Sequence, residues 1–314
     1  MTDSSDAPFD EPLDYPRYLT AKAAVDEQAL SPRVWQPFVD WLRGHASEKP
    51  LRIADMGGGI GFTLLRVLAA VERPLTYFLV DASAANLARA RSNLRNWAQE
   101  RGFATEAHDT PITIRRPSGH ATVHFCRGDA MTWRPPDGAP IHALASQALL
   151  DLLPLDRTLQ HWRSLLLSDH RCYLALLFDG ATVFEPPGGS LAIQQPIIDA
   201  YHRSMEARRV EGAPTGGAYC GRRVVRWLYK NNAQLFTVDS SDWSILGSTY
   251  DPLSDNESLF VQVIASFVKS EGRASEKVSS DIVNEWYDKI IDSITSDQIY
   301  FRASHLDILA ALKK

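Results

Sequence analysis

The residues with the clearest chemical potential in this 314-residue sequence form a glycine-rich turn between two acids. Asp55 ends an apolar stretch that predicts a strand, and Gly57, Gly59 and Gly61 follow it; a second apolar stretch ends at Asp81. Glycines let a backbone approach a flat polar ligand closely, and an acid at the end of the second strand can accept hydrogen bonds from both hydroxyls of a ribose. The pattern therefore predicts a nucleotide-binding turn.

The spacing of these glycines distinguishes two kinds of turn. A dinucleotide fingerprint is G-x-G-x-x-G, and the position of its last glycine holds Phe62 or Leu64, depending on the register. The form present here is D-x-G-x-G-x-G, which resembles motif I of class I S-adenosylmethionine-dependent methyltransferases. The resemblance implies that Asp55 and the turn face the methionine and ribose parts of S-adenosylmethionine, and that Asp81 binds its ribose.

The resemblance covers about residues 50–240 and suggests a position for adenine. Asp129 and Ala130 follow a predicted strand, where the family places an acid or amide against the adenine amino group. The carboxylate can accept from that amino group, and the adjacent backbone N–H can donate to a ring nitrogen. The alternative is that Asp129 only caps the turn after its strand.

Segment 145–154 lies after the fourth predicted strand, where the family places motif IV directly below the cofactor sulfonium. Ser146, Gln147 and Asp151 can supply polar contacts there; we predict that Ser146 contacts the cofactor and that Asp151 is catalytic. The alternative for Asp151 is a helix-start residue. The Asn/Asp-Pro-Pro-Tyr-like sequence of many nitrogen-methylating relatives is absent, which argues against a nucleobase or amide nitrogen as the target.

Two histidines are further candidates for proton transfer. His202 lies on a predicted helix over residues 196–209, in the region that usually forms the substrate lid, and its pKa near working pH would suit a general base. The alternative is a structural or exposed histidine. His305 is too close to Asp307 for an i,i+4 metal pair, and we interpret it as structural. We predict no metal site.

The elements that must position these residues alternate between strands and helices. This order predicts a doubly wound α/β fold with a mostly parallel, seven-stranded sheet of the class I methyltransferase-like kind. We expect an N-terminal tail and helical cap over residues 1–48 and the main domain over 49–314. Within that domain we expect a lid insertion at about 184–220 and a helical insertion at about 253–296, with the last strand at 298–305.

Composition restricts the function classes. Apolar residues make up 45% of the chain, enough for one large core or two modest ones, and the formal net charge of -5 without a basic run makes nucleic acid an improbable substrate. Three cysteines far apart predict neither a disulfide framework nor a zinc site. No apolar run is long enough to predict a membrane-spanning helix. The first 16 residues predict a disordered tail that does not resemble a signal peptide. We therefore expect a cytoplasmic protein. Whether the protein forms a homodimer stays open.

Together these features predict methyl transfer from S-adenosylmethionine to a small-molecule acceptor, with O-, N- and C-methylation all open. Two alternatives share the fold: a methyltransferase acting on protein or RNA, and a cofactor-binding protein without transfer activity. A third alternative is an aminopropyl transferase, but that group usually carries an additional acid in the glycine turn, at the position where this sequence has Ile60.

Overall fold

The computed structural model describes residues 15–47, 49–107, 111–117, 119–186 and 188–312. The tail predicted for residues 1–16 lies outside the described residues, except that Tyr15 and Pro16 already belong to the first helix.

Helices lie on both faces of a central sheet and above one of its edges. In chain order they are α1 Tyr15–Ala29, α2 Pro32–Gly44, α3 Phe62–Ala70, α4 Ala84–Glu100, α5 Leu155–Leu165, α6 Leu191–Ala207, α7 Cys220–Lys230, α8 Asp255–Arg273 and α9 Ser280–Thr295. Serine caps explain several starts. The hydroxyls of Ser83, Ser254 and Ser279 each accept a hydrogen bond from the first turn of α4, α8 and α9, which satisfies an otherwise unpaired N–H group.

The strands begin with the two that flank the glycine turn. In chain order they are β1 Leu51–Met56, β2 Leu75–Asp81, β3 Ala104–Ala107, β4 Ile112–Arg116, β5 Gly119–Arg127, β6 Ile141–Gln147, β7 Leu166–Glu185, β8 Arg209–Val210, β9 Ala213–Pro214, β10 Gln234–Ser240, β11 Trp243–Gly247 and β12 Ile299–Ala311.

Within the described residues the main sheet has ten strands, in the order β10-β12-β7-β6-β1-β2-β5-β4-β3, with β11 also paired to β12. The five strands β7, β6, β1, β2 and β5 run parallel, and β12 is antiparallel to β7. The predicted doubly wound, mostly parallel α/β fold is confirmed, and the predicted last strand extends to Ala311. The seven-stranded count is corrected, because β3, β4 and β11 add to it.

The strand order places one crevice at the carboxyl edge of the sheet. β2 and β6 lie on opposite sides of β1, so the chain leaves β1 and β6 toward different faces and opens a gap between their ends. Such a switch point is where open α/β sheets bind ligands. The buried side chains form two apolar clusters. Consecutive residues of β1 belong to different clusters, Ile53 to one and Ala54 to the other.

A group of helices covers that crevice. α1 contacts α8, α8 contacts α6 and α9, and α6 also contacts α9, while α1 packs on β11. The segment predicted as a helical insertion, 253–296, forms α8 and α9, and the segment predicted as a lid contains α6. This cap therefore closes the carboxyl edge of the sheet with residues from both ends of the chain.

Candidate functional site

The glycine turn has a backbone that requires glycine. Gly57, Gly59 and Gly61 have φ angles of 71°, 53° and 86°, in the left-handed region that other residues rarely adopt. A Cβ on Gly57 would lie 2.7 Å from the Leu149 side chain, and one on Gly58 would lie 2.9 Å from Asp55 Oδ2. The turn is thus closely packed on its protein side.

Asp81 connects the turn to the start of α4. Its Oδ2 accepts a hydrogen bond from Gly59 N–H at 2.9 Å, and its Oδ1 accepts from Ser83 N–H at 2.8 Å and from the Asn86 amide at 3.2 Å. Three donors from two segments hold the carboxylate in one orientation beside the turn. We call Asp55, Gly57, Gly59, Asp81 and Asn86 the glycine-turn cluster.

Asp55 is the buried acid of this cluster. Its carboxylate accepts a hydrogen bond from the Tyr77 hydroxyl at 3.0 Å. Burial raises the pKa of Asp55 to about 7, the Tyr77 hydrogen bond opposes that rise, and the nearby Asp81 carboxylate adds to it. A cationic group placed against Asp55 would favour its ionised form. The carboxyl is therefore suited to an ammonium-bearing ligand.

All members of the glycine-turn cluster line a cavity of about 600 Å³ under the helical cap. Its wall also contains residues of α1, α6, α8, β7, β11 and β12, which lie far apart in sequence. Its aromatic members are Tyr18, Phe62, Phe178, Tyr201, Trp243 and Phe267. The cavity therefore combines a polar turn with a largely aromatic compartment.

Asp26 of α1 is the centre of a polar group in the wall. It is almost fully buried and accepts hydrogen bonds from Lys22 Nζ, from Gln147 Nε2 at 2.8 Å and from Trp243 Nε1 at 2.9 Å. Lys22 Nζ also lies 5.1 Å from the centroid of the Trp243 ring. This group joins α1 to β6 and β11, and its one buried carboxylate is fully satisfied.

A second group in the same wall is much less satisfied. Asp151, Tyr201, Arg208 and Glu271 line the cavity, and we call them the Arg208 cluster. Burial, the Asp151 carboxylate and Glu271 raise the pKa of Tyr201 to about 12, against the influence of Arg208, so the three charged groups all act on Tyr201. In the described part of the chain no other residue donates a hydrogen bond to the Asp151 carboxylate, and burial raises its pKa.

Arg208 is the cation of that cluster. Its Nη1 atom is buried and has no hydrogen-bond partner among the described residues. In the same part of the chain, no carboxylate forms an ion pair with its guanidinium. A buried donor without an acceptor costs stability.

His305 faces the same cavity from β12. Nδ1 lies 2.9 Å from the carbonyl oxygen of Ala303, and burial lowers the pKa of the imidazole to about 3. The ring is therefore neutral, and an N–H at Nδ1 donating to Ala303 leaves the Nε2 lone pair unprotonated. His305 lines the cavity, and its interpretation as structural stays a prediction. Asp307 is structural: it accepts from Ser31 N–H and Leu176 N–H at 2.9 Å and 2.8 Å.

Several predicted contacts lie elsewhere. Ser146 is buried and its hydroxyl donates to Met56 O at 3.1 Å, so the prediction that it contacts the cofactor is corrected: it joins β6 to β1. Gly61 packs against Ala90 and lies outside the cavity wall. Asp129 is exposed, and its Oδ1 accepts from Met131 N–H at 2.7 Å. Asp129 and the buried Ala130 lie outside this cavity, and their contact with adenine stays a prediction.

The prediction that His202 is a catalytic base is also corrected. Its Nε2 lies 3.0 Å from Thr182 Oγ1, and Thr182, not His202, lines the cavity. Burial lowers the pKa of His202. The loop after α6 is fixed as well, because Glu206 accepts from Ala218 N–H and forms an ion pair with Arg223. His202 supports the wall from behind.

The sequence pattern contains signals for further wall residues, of which Lys22, Asp26 and Arg208 were not predicted. Lys22 and Asp26 stand four positions apart on α1, where they interrupt a largely buried face. Tyr201, Met205 and Arg208 stand at i, i+4 and i+7 of the chain through α6, the spacing of one helix face. His202, the residue predicted to be catalytic, lies one position away from that face.

Neither metal ligands nor membrane spans are evident. Among the described residues, no group of three or more His, Cys, Asp or Glu side chains could hold a metal ion. No helix in the same part of the chain is long and apolar enough to cross a membrane.

Comparisons with known proteins give similarity of fold. No family model and no curated protein matches this sequence. A methyltransferase from Geobacter sulfurreducens, bound to S-adenosylhomocysteine, is 11% identical over 96% of this chain and 100% of its own, with a TM-score of 0.47. Geranyl diphosphate C-methyltransferase from Streptomyces coelicolor A3(2) is 12% identical over 99% and 88%, with a TM-score of 0.44. The cyclase SpnF is 14% identical over 95% and 94%, with a TM-score of 0.43.

Identities this low concern the fold alone. The chemistry of this chain therefore has to be argued from its own cavity.

Proposed function

We propose that this protein transfers a methyl group from S-adenosylmethionine to a small-molecule acceptor. The observation that carries the proposal is the single cavity that joins the glycine-turn cluster to the Arg208 cluster. One part of its wall has acids and a close glycine backbone suited to a nucleoside with an amino-acid tail. The other part has unpartnered polar groups that can bind a second molecule.

The residues present fit S-adenosylmethionine. Asp81 is held beside the turn with oxygen lone pairs available for ribose hydroxyls, and a Cβ on Gly59 would meet no atom nearer than 4.0 Å, so the backbone there is open to the cavity. Asp55, whose pKa burial raises to about 7, offers a counter-charge to the amino group of the methionine part. When bound, the cofactor supplies an electrophilic methyl group on a sulfonium.

The remaining wall residues would hold and orient the acceptor. Asp151 presents a carboxylate that can accept a hydrogen bond from the acceptor's O–H or N–H group, and Tyr201 presents a hydroxyl. His305 presents the unprotonated Nε2, which can accept a hydrogen bond from the acceptor and so orient it. Helices α1, α6 and α8 limit the access of water and favour an acceptor that fits inside about 600 Å³.

A transfer assay with labelled cofactor tests the proposal. The protein is incubated with S-adenosylmethionine carrying a labelled methyl group and with separate pools of small metabolites, total protein and RNA. We expect label in the small-metabolite pool. Label in protein or RNA would instead support the macromolecular alternative. Binding of S-adenosylhomocysteine without label in any pool would favour the alternative of a cofactor-binding protein without transfer.

A further inference from the structure

The guanidinium of Arg208 is the most unusual polar group in the cavity. Arg208 directly follows the last residue of α6, and its backbone N–H donates a hydrogen bond to Ser204 O at 3.1 Å. The end of the helix therefore fixes the point from which the side chain extends. Its Nη1 is buried without a partner. Nearby Arg223 shows the contrasting arrangement, since it forms a two-point ion pair with Glu206.

A buried guanidinium nitrogen that has no acceptor among the described residues costs stability unless a ligand completes it. A planar guanidinium matches a carboxylate or phosphate in two parallel hydrogen bonds, and it carries its charge at all working pH values. The carboxylates of Asp151 and Glu271 share the cavity but form no ion pair with Arg208 in the described structure. No carboxylate of the described residues therefore occupies the pairing position of the guanidinium, and an anionic ligand can bind there.

We propose that the acceptor is a small organic acid whose oxyanion, a carboxylate or a phosphate, pairs with Arg208. This rests on the function proposed above and names the class of its acceptor. The aromatic wall formed by Tyr18, Phe178, Trp243 and Phe267 takes the apolar body of that acid. Asp151 then accepts from the hydroxyl or amino group that is methylated, while Arg208 holds the other end of the molecule.

The alternative ligand for this part of the cavity is a cation, because Asp151 and Glu271 carry the charge opposite to that of Arg208. An amine bound between them would be attracted by the carboxylates and repelled by Arg208, whereas an acid would be attracted by Arg208 and repelled by the carboxylates. A comparison of probes of equal shape and different charge decides between them. Suitable probes are phenylacetate, its neutral amide phenylacetamide, and phenethylamine, with phenyl phosphate as the second anion.

The test measures dissociation constants of these probes by ligand-observed NMR, with and without S-adenosylhomocysteine. For the wild-type protein we expect phenylacetate or phenyl phosphate to bind at least about tenfold more tightly than phenylacetamide, which corresponds to about 1.4 kcal/mol. The tighter of the two anions identifies the acid. Equal binding of acid and amide, or preferred binding of phenethylamine, would overturn the proposal.

Variants assign the preference to Arg208. R208Q should abolish the preference for the acid and leave the amide unaffected, and R208K should retain part of it. The matched control is R203Q, which removes the same charge from an exposed position on α6 and should change nothing. A charge preference that persists in R208Q would contradict the assignment.

Folding and cofactor binding give independent readouts. Because the guanidinium is unpaired, R208Q should melt at the same temperature as the wild type or higher, whereas a purely structural arginine would give a lower melting temperature. S-adenosylhomocysteine should bind R208Q as it binds the wild type. Failure of the wild type to bind it would contradict the proposed function, whereas binding without any acid preference would contradict only the acceptor class.

Discussion

The two clusters that line the cavity differ in how their polar groups are satisfied. In the glycine-turn cluster, Asp81 already accepts three hydrogen bonds from the protein. In the Arg208 cluster, the Asp151 carboxylate has no donor from another described residue, and Arg208 Nη1 has no acceptor. The first cluster is held in one arrangement by hydrogen bonds within the described chain, whereas the second has polar groups without such partners. Substitutions should therefore act in opposite directions on stability.

The largest expected effect is the loss of cofactor binding in Asp81→Ala. The change removes the acceptor of two ribose hydroxyls, each worth about 1.5–3 kcal/mol as a hydrogen bond to a charged group. Calorimetry should show S-adenosylhomocysteine binding weakened by about a hundredfold or more. NADH should bind neither protein. Asp251→Ala, which removes an exposed acid outside the cavity, is the control, and near-wild-type affinity of the Asp81 variant would contradict the ribose assignment.

The second effect is a pH dependence that originates at Asp55. Its pKa is about 7 without ligand, and the amino group of S-adenosylhomocysteine would lower it. Since the ligand prefers the ionised carboxyl, affinity should rise by up to about tenfold per pH unit below pH 7 and become constant above it. Proton release measured in buffers of different ionisation enthalpy checks the sign. Asp55→Asn should lose the dependence, and a dependence that persists would assign it to another group.

The third effect concerns Ser146. Its buried hydroxyl donates to Met56 O, so Ser146→Ala should lower the free energy of unfolding by about 1 kcal/mol. Affinity for S-adenosylhomocysteine should stay close to that of the wild type. Urea unfolding and calorimetry on the same sample separate the two quantities, and a large loss of affinity with unchanged stability would restore Ser146 to the cofactor site.

The smallest effect is a gain in stability from Asp151→Asn. Burial raises the pKa of Asp151 above 3.8, so its ionisation opposes folding as the pH rises through the folded-state value. The variant lacks this charge and should be more stable than the wild type by less than about 1 kcal/mol at pH 8, with a smaller difference at pH 4. Thermal melts at both pH values measure it. A variant that is less stable at pH 8 would show that the carboxylate has a partner in the folded protein.

The contrast between the clusters also explains how much the sequence could reveal. The glycine-turn cluster lies largely within one contiguous motif, and Asp81 follows from strand alternation, so spacing alone predicted both. The Arg208 cluster combines residues from the turn after β6, from the C-terminal part of α6 and from α8, which only the folded chain brings together. Spacing placed Asp151 in it but gave no reason to connect Asp151 with Glu271, 120 positions later.

Two predicted site residues, Ser146 and His202, lie on the wrong face of a correctly predicted element. Ser146 and Gln147 are neighbours on β6 and point to opposite sides of the sheet, and only Gln147 reaches the cavity. His202 and Tyr201 are neighbours on α6, where one residue turns the side chain by about 100°. The elements could be predicted from periodicity, but the face toward the ligand depended on packing against α8 and β7.

The most direct test of the central claim is a crystal structure with S-adenosylhomocysteine. The claim predicts the ribose hydroxyls within hydrogen-bond distance of Asp81, the amino group of the ligand beside Asp55, and the sulfur facing the compartment that contains Asp151 and Arg208. A ligand bound outside this cavity, or one whose ribose has no contact with Asp81, would contradict it.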